Sequence, residues 1–139
     1  MKGRDRFLTR VQPALDAVLE PGEPVRASGF AMVMASRGMH VLVGAAATLM
    51  SKYYWIAVTD RRLIVLKFQA LGTKPVLERA VPLSSAKILK RKPGLFGTRL
   101  ELDVDGSRYA LRFPVQFKAD AEAIAVHLSR QNASPFGRP

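Results

Sequence analysis

The sequence predicts a mainly β fold: seven antiparallel strands in a small bent barrel or sandwich, capped by a C-terminal helix and preceded by an extra N-terminal helix. Three observations support this prediction. Two apolar runs around Trp55 are separated by a short polar patch, which is the pattern of a hairpin. A second hairpin is marked by alternating apolar and polar residues on both sides of Asp105-Gly106. The last apolar stripe, which begins at Phe117, has helical spacing.

Length and composition favour one domain and exclude several kinds of chemistry. With 139 residues, 48% of them hydrophobic, the chain can bury one core. It contains no cysteine, which excludes disulfides, thiolate metal sites and a cysteine nucleophile. The first ten residues are charged and lack the apolar segment of a secretory signal, so we expect a cytoplasmic protein. We expect an N-terminal helical extension over 1–22, a domain over 23–132 and a flexible tail over 133–139.

Positive charge is concentrated in the middle of the chain. The formal net charge is +11, and residues 61–99 contain ten basic residues against one acid, Glu78. Such a field attracts phosphates, whether of lipid headgroups or of nucleic acid. The alternative is that a basic surface merely keeps the protein soluble.

The N-terminal segment predicts a helix followed by a strand. Apolar residues between Leu8 and Leu19 have helical spacing, but Pro13 interrupts them, so we expect the firm part of the helix to begin near Gln12. Two prolines and a glycine in residues 20–24 end the helix. Residues 25–35 then predict the first strand.

An uncharged segment over residues 39–50 follows. Its twelve residues are too few to cross a bilayer, which takes about 20. It is therefore a buried helix, a strand extension, or a loop that meets a membrane or a partner. Burial inside the protein or in an oligomer interface is the simpler interpretation. The residues expected to make the membrane or oligomer contact are Met39, Val41, Leu42, Val43, Leu49 and Met50.

The hairpin over residues 53–69 is expected to be central. Both of its runs are apolar at nearly every position, so both faces should be covered, one by the interior of the barrel and the other by an additional element. Asp60 is expected to hold the turn by accepting a hydrogen bond from a backbone N–H two residues on.

Two further strands, over 76–83 and 86–92, precede the second hairpin. The second of them has an exposed basic face, formed by Lys87, Lys90, Arg91 and Lys92, which we identify as the candidate anion-binding or lipid-binding site. In the hairpin that follows, a two-residue loop at Asp105-Gly106 fixes the register. It pairs Val104 with Ser107, Asp103 with Arg108, Leu102 with Tyr109 and Leu100 with Leu111.

A terminal helix is predicted over residues 118–131. Its apolar stripe is made by Phe117, Ala121, Ile124, Ala125 and Leu128, and acids in its first turn suit the helix dipole.

This order of elements resembles the pleckstrin-homology superfold, and the sequence is similar to the small bacterial pleckstrin-homology-like (PH-like) domains. The similar segments are LEPGE at 19–23, AVTDRRLI at 57–64 and VPL at 81–83. The resemblance implies a seven-stranded bent barrel with the C-terminal helix at one end, but it implies little about activity. The loop between the first two strands contains only Arg37 and Lys52 as cations, so phosphoinositide binding at the usual site of that family is not expected.

We find no catalytic constellation of side chains. We therefore expect that the protein is not an enzyme and that it has no cofactor, metal or small-molecule substrate. The first hypothesis is a non-catalytic binding or adaptor module at the inner membrane surface, where each basic residue near anionic headgroups contributes about 1 kcal/mol and residues 39–50 add apolar contact. The second is an oligomerisation or protein-interaction module. The third, nucleic-acid binding with stacking on Tyr53, Tyr54 and Trp55, is ranked last because those aromatics alternate between the faces of one strand.

Overall fold

The computed structural model describes residues 2–33, 52–69 and 74–133. Two α-helices and seven β-strands occupy most of these ranges. In chain order they are α1 (Lys2–Val18), β1 (Val25–Val33), β2 (Lys52–Thr59), β3 (Arg62–Phe68), β4 (Pro75–Pro82), β5 (Ala86–Gly94), β6 (Gly97–Val104), β7 (Ser107–Pro114) and α2 (Lys118–Ala133). The segment 39–50, with its six predicted contact residues, lies outside the described residues.

The strands form one antiparallel sheet in the order β4-β3-β2-β1-β7-β6-β5. The predicted mainly β fold with a helix at each end of the chain is therefore confirmed. A pairing of Met32 with Arg112 joins the four-stranded half to the three-stranded half. The sheet curls so that its two halves meet. The ring of Tyr109 on β7 lies 5.5 Å from the ring of Tyr54 on β2, and the Tyr109 hydroxyl donates a 2.5 Å hydrogen bond to Glu78 on β4.

The hairpin of β2 and β3 lies at the centre of the four-stranded half, as predicted. Trp55 pairs with Leu66 and is completely buried. One face of the hairpin is covered by α1 and by the turn that leads into α2: the ring of Phe7 on α1 lies 6.2 Å from that of Phe68, and the ring of Phe117 in the turn lies 5.8 Å from that of Trp55. The other face points towards Tyr109 in the second half of the sheet. Both faces of these strands are apolar because both are enclosed.

The turn between β2 and β3 is held by Thr59, so the prediction that Asp60 would hold it was wrong. The Thr59 hydroxyl oxygen accepts hydrogen bonds from the backbone N–H of Arg61 at 3.1 Å and of Arg62 at 2.9 Å. It also donates to the Glu23 carboxylate at 2.7 Å. Asp60 instead accepts from the side chain of Arg61 at 3.0 Å. Threonine can make this turn because its hydroxyl both donates and accepts, whereas a carboxylate only accepts.

Helix α1 runs without a break through Pro13, whereas the sequence predicted a firm helix only from Gln12. A proline inside a helix costs about 3 kcal/mol because its ring removes one hydrogen bond and crowds the preceding turn. Val11 and Leu15, on either side of Pro13, are buried in the core, and Phe7 packs on Phe30 at 4.5 Å. Burial of these side chains offsets the cost of the proline.

Helix α2 packs against β1, β5 and β6. Its predicted apolar stripe is confirmed, because every member is buried: Phe117, Ala121, Ile124, Ala125 and Leu128. This helix and the second hairpin, whose predicted register is also confirmed, position the candidate site.

Candidate anion-binding face

The candidate site lies on the three-stranded half of the sheet. Side chains of β6 alternate, with Thr98 and Leu100 buried and Arg99 and Glu101 on the other side. We call the side that carries Arg99 and Glu101 the outer face. Because neighbouring strands share a face at paired positions, the pairing pattern determines which charges of β5 and β7 meet there.

At one end of the outer face, cations are matched by acids. Lys87 pairs with Asp103, and Lys90 pairs with Glu101. Arg108 on β7 lies opposite Asp103, and its guanidinium is 3.7 Å from the Glu101 carboxylate. Two carboxylates therefore offset the charge of these three cations, and the lysines also protect the exposed edge of β5 from pairing with another chain.

At the other end, three cations stand side by side without an acid. Lys92 pairs with Arg99, and Arg99 pairs with Arg112, so that one cation from each strand lies in a line that we call the cation row. No ion pair to these three residues is found in the described part of the chain. The residues outside the described ranges contain no Asp or Glu. Like charges directly opposite one another destabilise a sheet, so the row is not explained by stability.

The cation row borders an open groove of about 410 Å³ at the tip of the β5–β6 hairpin. The groove is lined by Lys92, Pro93, Gly94, Leu95, Phe96, Gly97, Thr98, Arg99 and Arg112. The tip is a two-residue turn of Leu95 and Phe96, which are 84% and 78% exposed. Uncompensated positive charge and exposed apolar side chains therefore meet at one end of one hairpin.

Helix α2 holds this hairpin from the opposite side of the sheet. The Lys118 ammonium group donates a 2.8 Å hydrogen bond to the Gly94 carbonyl, next to the tip. Further along β5, the Arg91 guanidinium bonds to the Glu122 carboxylate of α2. Two contacts with one helix therefore fix the position of the hairpin.

The four basic residues predicted from the sequence do not form one cluster. Lys87, Lys90 and Lys92 lie on the outer face, but Arg91 pairs with Leu100, on the side that faces α2, and is neutralised by Glu122. Of the three outer lysines, Lys92 belongs to the cation row.

Sequence reasoning missed Arg99, Arg112, Leu95 and Phe96. The register set by the Asp105-Gly106 turn contained the signal for the two arginines, because continuing it past Leu100 and Leu111 places Arg99 opposite Arg112. The apolar tip is harder to detect, since Leu95 and Phe96 in a sequence are more often core residues.

Several cations of the basic stretch 61–99 hold the fold together. Arg62 forms hydrogen bonds of 2.9 and 2.5 Å to the carboxylate of Glu23, which is buried. The hydrogen bond from Arg62 lowers the pKa of Glu23 to about 2. Arg61 pairs with Glu20 at 3.3 Å. Arg79 donates to the Ser107 hydroxyl at 2.6 Å. The high charge of this stretch therefore includes arginines with structural partners.

Other kinds of site are not evident in the described ranges. No group of three His, Cys, Asp or Glu side chains that could hold a metal ion occurs there. No helix among the described residues is both long enough and apolar enough to cross a membrane.

Comparison with known proteins gives no independent guide to function. No family model matches the sequence, and no curated protein matches it significantly.

Proposed function

We propose that the protein is a non-catalytic binding module of the PH-like type, and that it docks on anionic membrane surfaces through the end of the outer face that carries the cation row. The strand order, the single curled antiparallel sheet and the C-terminal helix packed on it are consistent with a PH-like fold. Because such a fold serves many functions, the proposal depends on the surface chemistry.

The cation row is the observation that carries the proposal. Three cations on adjacent strands, with no acid among them, create a local positive field that the rest of the outer face lacks. Anionic headgroups would relieve the repulsion among Lys92, Arg99 and Arg112. Each basic residue near such a surface contributes about 1 kcal/mol.

A membrane fits this face better than a nucleic acid does. Single-stranded nucleic acids bind through aromatic platforms, but of the three aromatics expected to stack, Trp55 is completely buried, Tyr54 almost so and Tyr53 partly buried. The exposed apolar groups beside the cation row are Leu95 and Phe96 at the hairpin tip, and apolar groups next to cations suit the boundary between headgroups and acyl chains.

The test is co-sedimentation with vesicles of phosphatidylcholine, with and without phosphatidylglycerol. We expect binding only to the anionic vesicles, and weaker binding as salt is raised. The variant Lys92→Ser, Arg99→Ser, Arg112→Ser should bind at least about tenfold more weakly.

A matched control removes the same charge from the same face. The variant Lys87→Ser, Lys90→Ser, Arg108→Ser loses three cations that lie beside Asp103 and Glu101. It should lose much less affinity, because it leaves the cation row intact and the three cations that it removes are already largely offset by Asp103 and Glu101. Equal losses in the two variants would mean that only net charge matters, and absence of binding to anionic vesicles would end the proposal.

A further inference from the structure

We propose that the tip of the β5–β6 hairpin inserts into the bilayer, burying Leu95 and Phe96 at the boundary between the headgroups and the acyl chains. This inference rests on the proposed membrane docking and specifies how it is achieved. Attachment then has two parts: the cation row supplies attraction that salt weakens, and the tip supplies an apolar contact that salt does not weaken.

The exposure of the tip is the first argument. Leu95 and Phe96 are 84% and 78% exposed, whereas the other exposed large apolar residues in the described ranges do not exceed 57%. Two adjacent apolar side chains that are exposed at the end of a hairpin do not stabilise the fold. A bilayer would remove both from water without any change in the sheet.

The second argument is the position of the tip relative to the charges. Lys92 and Arg99 are each three residues from the nearer tip residue, a distance of about 10 Å along an extended strand. Apolar side chains of interfacial proteins are buried about 5–10 Å into the boundary between headgroups and acyl chains. When the hairpin points towards the bilayer, cations at the level of the phosphates therefore place the tip at the depth where apolar side chains are stable.

The third argument is that contacts already hold the backbone of the tip in its turn. The Gly94–Gly97 pair closes the turn, and the Lys118 ammonium bonds to the Gly94 carbonyl at 2.8 Å. A turn whose backbone is held by these contacts loses less conformational entropy on insertion than a free loop, so more of the gain from burial appears as affinity.

Charge decides between a bilayer and a second copy of the chain as the partner of the tip. Two copies meeting tip to tip would bring two cation rows together, and their repulsion opposes association. An anionic bilayer removes that repulsion, so we assign the tip to the membrane.

The absence of cysteine provides a direct experiment. A single Phe96→Cys substitution can be labelled with an environment-sensitive fluorophore such as NBD. Val126→Cys is the matched control, because Val126 is an apolar residue on α2 that is 45% exposed. On addition of vesicles containing phosphatidylglycerol, the label at position 96 should shift to the blue and brighten, while the label at 126 should not change.

A second pair of variants measures the energetic share of the tip. Leu95→Ser, Phe96→Ser should weaken vesicle binding about tenfold or more, and the loss should persist at high salt. Val126→Ser should bind like the unaltered protein. Neither variant alters a core residue, so both should fold.

The outcomes separate the two proposals. If the protein co-sediments with anionic vesicles but the label at 96 stays in water, insertion is wrong while electrostatic docking stands. If no vesicle binds the protein at low salt, both are wrong. If light scattering shows that Leu95→Ser, Phe96→Ser converts an oligomer to a monomer, the tip contacts another copy and insertion is wrong.

Discussion

Gly97 is the residue on which the geometry of the hairpin tip depends most. Its φ angle of +142° is unfavourable for other residues, and a Cβ there would lie 2.2 Å from the carbonyl oxygen of Phe113. The residue therefore permits β6 to begin directly against the end of β7.

Gly97→Ala should destabilise the protein by about 2–3 kcal/mol, through backbone strain plus the clash with Phe113. Gly22→Ala is the matched control, since Gly22 also has positive φ, at +76°, but no atom within 4 Å of its added Cβ. It should cost only about 1 kcal/mol. Urea unfolding followed by Trp55 fluorescence measures both. If both variants lost the same unfolding free energy, the structure around Phe113 would have relaxed to accommodate the new Cβ at position 97.

Glu23 connects the end of α1 to the central hairpin. Its carboxylate accepts hydrogen bonds from the guanidinium of Arg62, the hydroxyl of Thr59 and, at 2.9 Å, the backbone N–H of Glu20. Glu23→Gln should cost about 2–3 kcal/mol of unfolding free energy, because a buried, charge-assisted pair is lost and Arg62 keeps its charge. Glu20→Gln, at an exposed ion pair, should cost well under 1 kcal/mol in the same measurement.

The pH dependence of stability provides an independent test of Glu23. The folded protein holds the pKa of this carboxyl at about 2, below the ordinary 4.5, so the charged form is the one that stabilises the fold. Its contribution is complete above pH 4.5 and is lost as the pH falls towards 2. The stability difference between the unaltered protein and Glu23→Gln should therefore shrink over that window. A constant difference down to pH 2 would contradict the assignment.

At the scale of elements, the three-stranded half of the sheet combines a stabilising set of charges with a destabilising one. Lys87, Lys90 and Arg108 face carboxylates, whereas Arg99 lies between Lys92 and Arg112. A surface selected only for stability would alternate charges across the strands, as the first set does.

Arg99→Thr should therefore leave stability unchanged or raise it by a few tenths of a kcal/mol, because it removes two like-charge contacts and introduces a good strand former. Glu101→Thr should lower stability, because Lys90 and Arg108 lose their partner. Thermal unfolding at low salt measures both. A clear loss of stability in Arg99→Thr would mean that the cation row has a structural role.

Some helices and strands could be predicted from local sequence patterns, and others could not. Alternation around Asp105-Gly106 and the helical stripe ending at Leu128 are local patterns, so they could be predicted with their register and buried faces. Helix α1 was predicted too short, because the gain that overrides Pro13 comes from Phe30 and Phe68, which are distant in sequence. Local rules cannot include contacts of that kind.

At the scale of the whole molecule, the fold was easier to predict than the candidate site. The basic stretch 61–99 was apparent as a count of charges, but a count does not reveal that Arg62 faces Glu23 or that Arg91 faces Glu122. Only the pairing of strands separates those cations from Arg99. The cation row is formed by three strands, so its members are scattered over residues 92–112 and no local motif marks them.

The attachment of the hairpin to α2 at Gly94 and at Arg91 has a geometric consequence for a docked molecule. Because these two contacts join the hairpin to the helix that caps the sheet, insertion of the tip into a bilayer would also set the tilt of the entire domain. Whatever this chain presents on its remaining surface would then stand at one height and one angle above the lipid.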